Sequence, residues 1–591
     1  MGDLPNNPLQ SGKKAKKELS MEIRLLIAFL LMGLVLFLSP YLYKTPPPGP
    51  KQVAPTTPAQ AAQETKKPEA SPPEAAKPAP SPDASKPMPG QIRAASEQQF
   101  TVDTEIYRVR FSNHGAVVQS WMLKKYLDHN GKPLELVNAA AFAKAPPPFS
   151  LSMKDDKSAG VLNYGLYVPK PSADGLSIEY EFSDGKNYAK KSFQFSKNGY
   201  LSQVISEVTE SGVPVEHMLQ WRGGFGDSTV PNRLSEQHSV YYDLAQKSTF
   251  STDPGKLITK DAKSVKDGPQ SSSGNYSFAG LDDRFFAFVV LPKDNTSTRT
   301  ETLKDDIPTP PDNKDQLYVG VAVGGDSVNR FVVFVGPKDV DLLRKVDPKL
   351  QQLIDWGFFG LIAKPIFLVL HWLNDNLLHN YGWSIVVITI IINLLLLPLR
   401  FSGMKSQKKM QKLQPQIAAI NAKYKGLSMR DPKKAQQNQE IMDLYKREGA
   451  NPMSGCLPMF VQLPILYAFY KVLTVTIELR GAHWLWVTDL SQPEQLAIHV
   501  LPVVMVISQF VMQKMTPNPS VDPAQAKMMQ FMPLMFGFFF YNMSSGLVLY
   551  WLTGNLVGIL QQMLINRMMP TPPAAPPVKT LTNKAVTKKK N

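Results

Sequence analysis

The sequence predicts a polytopic α-helical membrane protein with six transmembrane helices, an extracytoplasmic all-β sandwich domain and a cytoplasmic helical hairpin. Three observations predict it. Apolar runs long enough to cross a hydrocarbon layer of ~30 Å occur near the N-terminus and recur beyond residue 380. Between them, residues 96–338 alternate apolar and polar at period 2, punctuated by Asp184-Gly185 and Asn198-Gly199, which are hairpin signals. Lysines and arginines gather beside the apolar runs, the bias that orients membrane spans.

The totals exclude several classes. The 591 residues carry a net charge of +16, which in a soluble chain would point to nucleic acid. The placement of that charge fits the positive-inside rule instead, and no DNA partner is expected. One cysteine, Cys456, excludes an internal disulfide framework, and the eight histidines show no HExxH spacing, so no metal or cofactor is expected. No nucleotide loop, nucleophile elbow or zincin motif is present, so the chain does not read as an enzyme and has no candidate catalytic residue.

In chain order, residues 1–24 form a basic cytoplasmic N-terminus and 25–43 a transmembrane signal anchor. A cleaved signal peptide is the competing reading, but the apolar core is long and no A-x-A site follows it. Residues 44–95 are Pro, Ala, Lys, Glu and Ser with little to bury, a disordered linker. The β domain spans 96–338, with alternation in Tyr107–Phe111 and Ile178–Phe182 and strand-like runs at 285–291 and 317–323. About 240 such residues suit one large antiparallel sandwich. Residues 339–380 read as interfacial amphipathic helices: Val340, Leu343, Val346, Leu350, Leu353 and Ile354 recur at helical spacing. The following apolar run is short and broken by Pro365.

The second span, 381–401, leads to a basic hairpin at 402–451. In the hairpin Met410, Leu413, Ile417, Ile420 and Tyr424 form a seam of threes and fours, and Gly426 and Asp431-Pro432 mark its turn. Further spans are expected at 452–476, 496–515, 527–543 and 544–568, separated by a periplasmic loop at 477–495 and a cytoplasmic loop at 516–526. The basic tail at 569–591 returns to the side of the N-terminus, as six crossings require.

Few strongly polar groups lie within the spans. Thr389 and Asn393 stand one helical turn apart in the second span, Gln462 lies between Pro458 and Pro464, Ser508 and Gln509 are in the fourth, and Thr553 and Asn555 in the last. An amide left without a partner in hydrocarbon costs several kcal/mol, roughly, so these groups face one another or a wet cavity. By pattern alone interhelical hydrogen bonding is the simpler of the two readings. Methionine and phenylalanine crowd 505–540, a composition that suits varied apolar partners and lipid-facing packing alike.

Three stretches, PLRFSGMKSQKKMQKLQPQI, NPMSGCLPMFVQLPILYAFYKVL and SSGLVLYWLTGNLVGILQQ, resemble the YidC/Oxa/Alb family of membrane-protein insertases. The likeness covers about 336–568, and the anchor and β domain resemble the Gram-negative form with a large periplasmic domain. It implies an insertase and chaperone of the bacterial inner membrane, with both termini in the cytoplasm and the β domain in the periplasm. Nascent transmembrane segments would pass from a hydrophilic groove into the bilayer, alone or with the Sec translocon. Nascent membrane proteins, the ribosome, the translocon and membrane lipids are the implied partners.

By the same resemblance Thr389, Gln462, Tyr550 and Trp551 line the groove or its substrate-contacting side. The hairpin lysines Lys405, Lys408, Lys409, Lys412, Lys433 and Lys434 belong to a recruitment surface. The family places a cation five residues before the proline of a PL dipeptide, where this chain has Asn393 ahead of Pro398. Arg400 lies seven residues on, on about the same face and ~10 Å nearer the cytoplasm. The expectation is that Asn393 wets the groove while Arg400 supplies attraction at its mouth. A small-molecule transporter or channel, or a membrane-anchored envelope scaffold, is the alternative; no internal repeat of the transporter kind is seen.

Overall fold

A computed structural model describes residues 90–128, 130–229, 237–247, 255–293, 297–309, 314–424, 433–450, 457–515 and 523–568, with the backbone alone at 308–309, 314, 434, 457–460 and 523–529. The expected anchor, most of the linker, the hairpin turn and the basic tail lie outside these residues, as does most of the 516–526 loop.

Among the described residues twenty strands form antiparallel sheets of eleven, five and four strands. The Ile178–Phe182 alternation is the sequence signature of a strand with one buried face. Ile178, Tyr180 and Phe182 enter the core, and Ser177–Asp184 pairs with Asn187–Phe195. Gly185 turns the chain at φ +95°, a conformation that glycine adopts without steric cost, and the Asp184 carboxylate accepts from the backbone N–H groups of Lys186 and Asn187. Trp121, Phe149, Phe193, Trp221 and Phe288 meet in stacked, tilted and edge-on contacts in the core of the sandwich.

Three expectations for this region are corrected. Gln91–Ile92, placed in the linker, is a strand on the edge of the large sheet, paired to Asp184 and Ser183. The domain also contains a helix, α1 (Asp156–Tyr164), capped by Asp155, whose carboxylate accepts from the Lys157 and Ser158 N–H groups. The apolar face of 340–354 is not free for an interface with lipid. Helix α2 (Val340–Val346) and the 3-10 turn Pro348–Leu353 bury Leu343, Leu350 and Leu353 against Val240, Tyr242, Phe278 and Phe334 of the sheet. Helical spacing reveals an apolar face but not its partner.

The helical region comprises α3 (Gly360–Leu373), α4 (Tyr381–Leu395), α5 (Leu397–Lys423), α6 (Lys433–Arg447), α7 (Leu457–Val475), α8 (Val500–Met515), α9 (Pro523–Phe540) and α10 (Ser545–Met568). Among the described residues α10 is the one helix long and apolar enough to cross a membrane by itself, and the pair α4 and α5 is so when taken together across a 58° bend. The bend at Leu396 follows from Pro398, which lacks an N–H and cannot continue the helical ladder. The sequence reading broke the chain at 401; the helix breaks five residues earlier, and the end of the expected span is continuous with the first arm of the hairpin. Gly382 permits close packing at the other end of α4, since a Cβ there would lie 2.2 Å from Trp484 Cδ1.

Arg480, after α7, ties bundle to sandwich. Its Nη2 donates to Asp227 Oδ2 and to the Leu127 carbonyl, both at 2.7 Å, and its guanidinium lies over Phe285 and Phe286.

Candidate functional site

The polar residues of the spans resolve into two groups, one on each side of α10. On α4, Thr389 is fully buried, and its Oγ1 donates to the Ile385 carbonyl at 2.6 Å. This is the back-bond that a threonine makes within its own helix. Asn393 does the same, donating from Nδ2 to the Thr389 carbonyl at 2.7 Å. Its Oδ1 is buried with no hydrogen-bond partner among the described residues.

Arg400 occupies the first turn of α5, where the bend turns it inward. Nη2 donates to Gln462 Oε1 and Nη1 to Gln561 Oε1, each at 3.3 Å. Gln462 Nε2 in turn donates to the Tyr550 hydroxyl at 2.6 Å, and the Tyr550 ring stacks on Phe469 with centroids 4.2 Å apart. No carboxylate pairs with Arg400 among the described residues. A guanidinium has five N–H donors and no acceptor, so the arrangement is a half-buried cation held by neutral amides.

The second group faces α8 and α9. Trp551 Nε1 donates to Gln509 Oε1 at 3.3 Å, and its ring lies against Phe536 and Phe540. Ser508 Oγ donates to the Met505 carbonyl and accepts from Asn555 Nδ2 at 2.9 Å. Tyr550 and Trp551 are consecutive and thus about 100° apart around the helix, which is why they serve different groups. Arg400, Gln462 and Tyr550 converge; Ser508, Gln509 and Trp551 form a separate set; Thr389 joins neither through its side chain.

Gln561, which bonds Arg400 directly, is not among the residues that the sequence pattern singles out. It stands eleven residues after Tyr550, three helical turns along the same face. That spacing is the signal that would have found it.

The lysines of the expected recruitment surface differ in setting. Lys405, Lys409, Lys412 and Lys433 are exposed. Lys408 is buried, with Nζ donating to the Ile565 carbonyl at 3.4 Å, and desolvation lowers its ammonium pKa. The side chain of Lys434 lies outside the described residues. The seam is a packed core, with Met410, Leu413 and Ile417 of α5 meeting Leu444, Tyr445 and Ala450 at the end of α6 and beyond.

Residues 372–572 match the family described as 60Kd inner membrane protein, and residues 99–369 match the YidC periplasmic domain. The membrane protein insertase YidC of Geotalea daltonii is 32% identical over 569 residues, spanning 93% of this chain and 100% of the relative. The chain belongs to the YidC family of membrane-protein insertases. A second YidC, from Citrifermentans bemidjiense, is 33% identical over 496 residues, covering 80% of this chain and 86% of its own. A crystal structure of an active YidC insertase with its first transmembrane domain resolved aligns over 80% of this chain and 93% of that one, at 20% identity and a TM-score of 0.34. As in other YidC proteins, the sandwich belongs to the periplasmic domain, and the helices from α4 onward belong to the inner-membrane region.

Proposed function

We propose that this chain receives nascent transmembrane segments in a hydrophilic groove formed by α4, α5, α7 and α10 and releases them sideways into lipid, alone or beside the Sec translocon. The observation that carries the reading is Arg400, a cation held inside an apolar bundle by Gln462 and Gln561 with no carboxylate partner among the described residues. Moving a polar or acidic tail through hydrocarbon is costly. A groove with amide, hydroxyl and guanidinium groups shortens the dry path, and the client's apolar segment then leaves by its own transfer free energy. No covalent step is required of the protein.

In this reading the chain crosses the membrane six times, with both termini and the α5–α6 hairpin in the cytoplasm. The exposed hairpin lysines meet the ribosome or the emerging client. Asn393, at the position of the family's groove cation, supplies a buried acceptor, while Arg400 supplies the charge. Trp551 and Gln509 face the client's apolar segment.

A photo-crosslinker at position 551 tests the reading against a ribosome-stalled nascent membrane protein. Adducts with the client's transmembrane segment are expected; their absence, with the chain correctly inserted, overturns it.

A further inference from the structure

Helix α4 ends two residues after Asn393, and the last carbonyls of a helix have no partner within it. Gln561 serves one of them. Its Nε2 donates to the Asn393 carbonyl at 3.3 Å while its Oε1 accepts from Arg400 Nη1 at 3.3 Å. A single buried amide on α10 therefore spans the 58° bend, capping the helix before it and holding the cation after it. The neighbouring Gln562 takes no part, its Nε2 turning to Asn566 Oδ1. Gly558, one turn before Gln561, is closed in by Met512 rather than by the cation: a Cβ there would stand 2.6 Å from Met512 Cε and at an ordinary contact distance, 3.7 Å, from Arg400 Nη1.

We propose that Gln561 is a positioning residue that sets client charge specificity, fixing the Arg400 guanidinium in the groove without neutralising it. The argument turns on the choice of an amide. A glutamate of the same shape would make a charge-assisted, bidentate-capable pair with the guanidinium and satisfy it internally. An amide orients the cation equally well and leaves its charge for an incoming carboxylate. Two of the five N–H donors are engaged among the described residues, by Gln462 and Gln561. The rest are available to an aspartate, a glutamate or a terminal carboxylate on the client tail. The anchor to the Asn393 carbonyl adds a second consequence: the position of the cation is tied to the bend, so a client that straightens α4 on α5 would also move the charge.

The inference rests on the insertase reading, and its test separates the two. The full chain is reconstituted in liposomes with single-span clients that differ only in the translocated tail, acidic or uncharged. Gln561→Glu is expected to lower the ratio of acidic-tailed to uncharged-tailed insertion about tenfold, the weight of a charge-assisted hydrogen bond. Gln561→Met, which frees the guanidinium without neutralising it, should lower the ratio about threefold. Adding Gln561→Glu to Arg400→Ala should lower the ratio no further than Arg400→Ala alone. An unchanged ratio in Gln561→Glu, or parallel loss of both clients in both variants, overturns the proposal. Where Gln561→Glu does not accumulate, an unchanged ratio in Gln561→Met overturns it. Insertion of neither client by the unaltered chain overturns the reading beneath it instead.

Discussion

The sandwich and the bundle each take a cation out of water, and they treat it differently. Lys191, on the strand Asn187–Phe195, is fully buried, and its Nζ donates to the carbonyls of Gly115, Ala116 and Phe149 at 2.7, 3.3 and 2.9 Å. In the ammonium form all three of its protons are used. The carbonyls it binds belong to residues at φ +75°, +49° and +67°. That region is unfavourable for alanine and phenylalanine, so the lysine secures a strained backbone corner. Arg400 is held by two amides and, among the described residues, keeps donors unused. A buried cation whose hydrogen-bonding capacity is exhausted by the fold is structural, whereas one with capacity left over is available to a ligand.

Exchanging each cation for methionine breaks or sharpens that contrast. Arg400→Met should reduce insertion of acidic-tailed clients by roughly ten- to a hundredfold, the range expected when a charge-assisted contact is lost. Its thermal midpoint should move little, because Gln462 keeps its bond to the Tyr550 hydroxyl and Gln561 its bond to the Asn393 carbonyl. Lys191→Met should do the reverse. Leaving three buried carbonyls without donors costs about 3 kcal/mol or more of domain stability, read by denaturant unfolding. Insertion should be unchanged at temperatures where the domain stays folded. Loss of insertion without loss of stability in Lys191→Met would abolish the distinction.

The same lysine gives a pH signature. Desolvation lowers its pKa from 10.5 to about 7. Between pH 7 and 10.5 the unfolded chain therefore binds a proton that the folded chain does not, and stability rises with pH across that window. Unfolding followed at pH 7, 8 and 9 should show this rise in the unaltered chain and lose that contribution in Lys191→Met. His217, which burial lowers to about 4 against a weaker opposing hydrogen bond that it donates to the Val215 carbonyl, with the Lys191 charge adding a smaller lowering, titrates below the window.

Much of this architecture was legible because it follows from local periodicity. The Ile178–Phe182 alternation, its Asp-Gly turn and the Met410–Leu413–Ile417 seam needed only the residues themselves. What escaped depends on contacts distant in sequence. The apolar face of 340–354 was visible, but not that a sheet covers it. Counting seven residues from Asn393 singled out Arg400, yet the bend at Leu396 and the partner on α10, 161 positions away, are tertiary facts. Lys408 and Lys409 read alike in sequence; the end of α10 buries one and leaves the other exposed.

Glu478 supplies the smallest effect and extends the comparison to an anion. It lies in the 3-10 turn Ile477–Leu479 after α7, and both carboxylate oxygens are buried without a hydrogen-bond partner among the described residues. Burial raises its pKa to about 7; Asp339 and Asp341 add to the rise, and His371 opposes it. Arg480 stands two residues away but spends its guanidinium on Asp227. Between pH 4.5 and 7 the folded chain holds a proton that the unfolded chain releases, so the stabilising contribution is complete below 4.5 and lost as pH rises through 7. Glu478→Gln should therefore stabilise the junction by about 1–2 kcal/mol at pH 8 and by less at pH 5, read as thermal midpoints at the two values. Destabilisation at pH 8 would mean that the carboxylate is satisfied, like Lys191. The predicted gain would place Glu478 at the opposite end of the series, a buried charge whose removal is favourable because the described residues supply no hydrogen-bond partner for it.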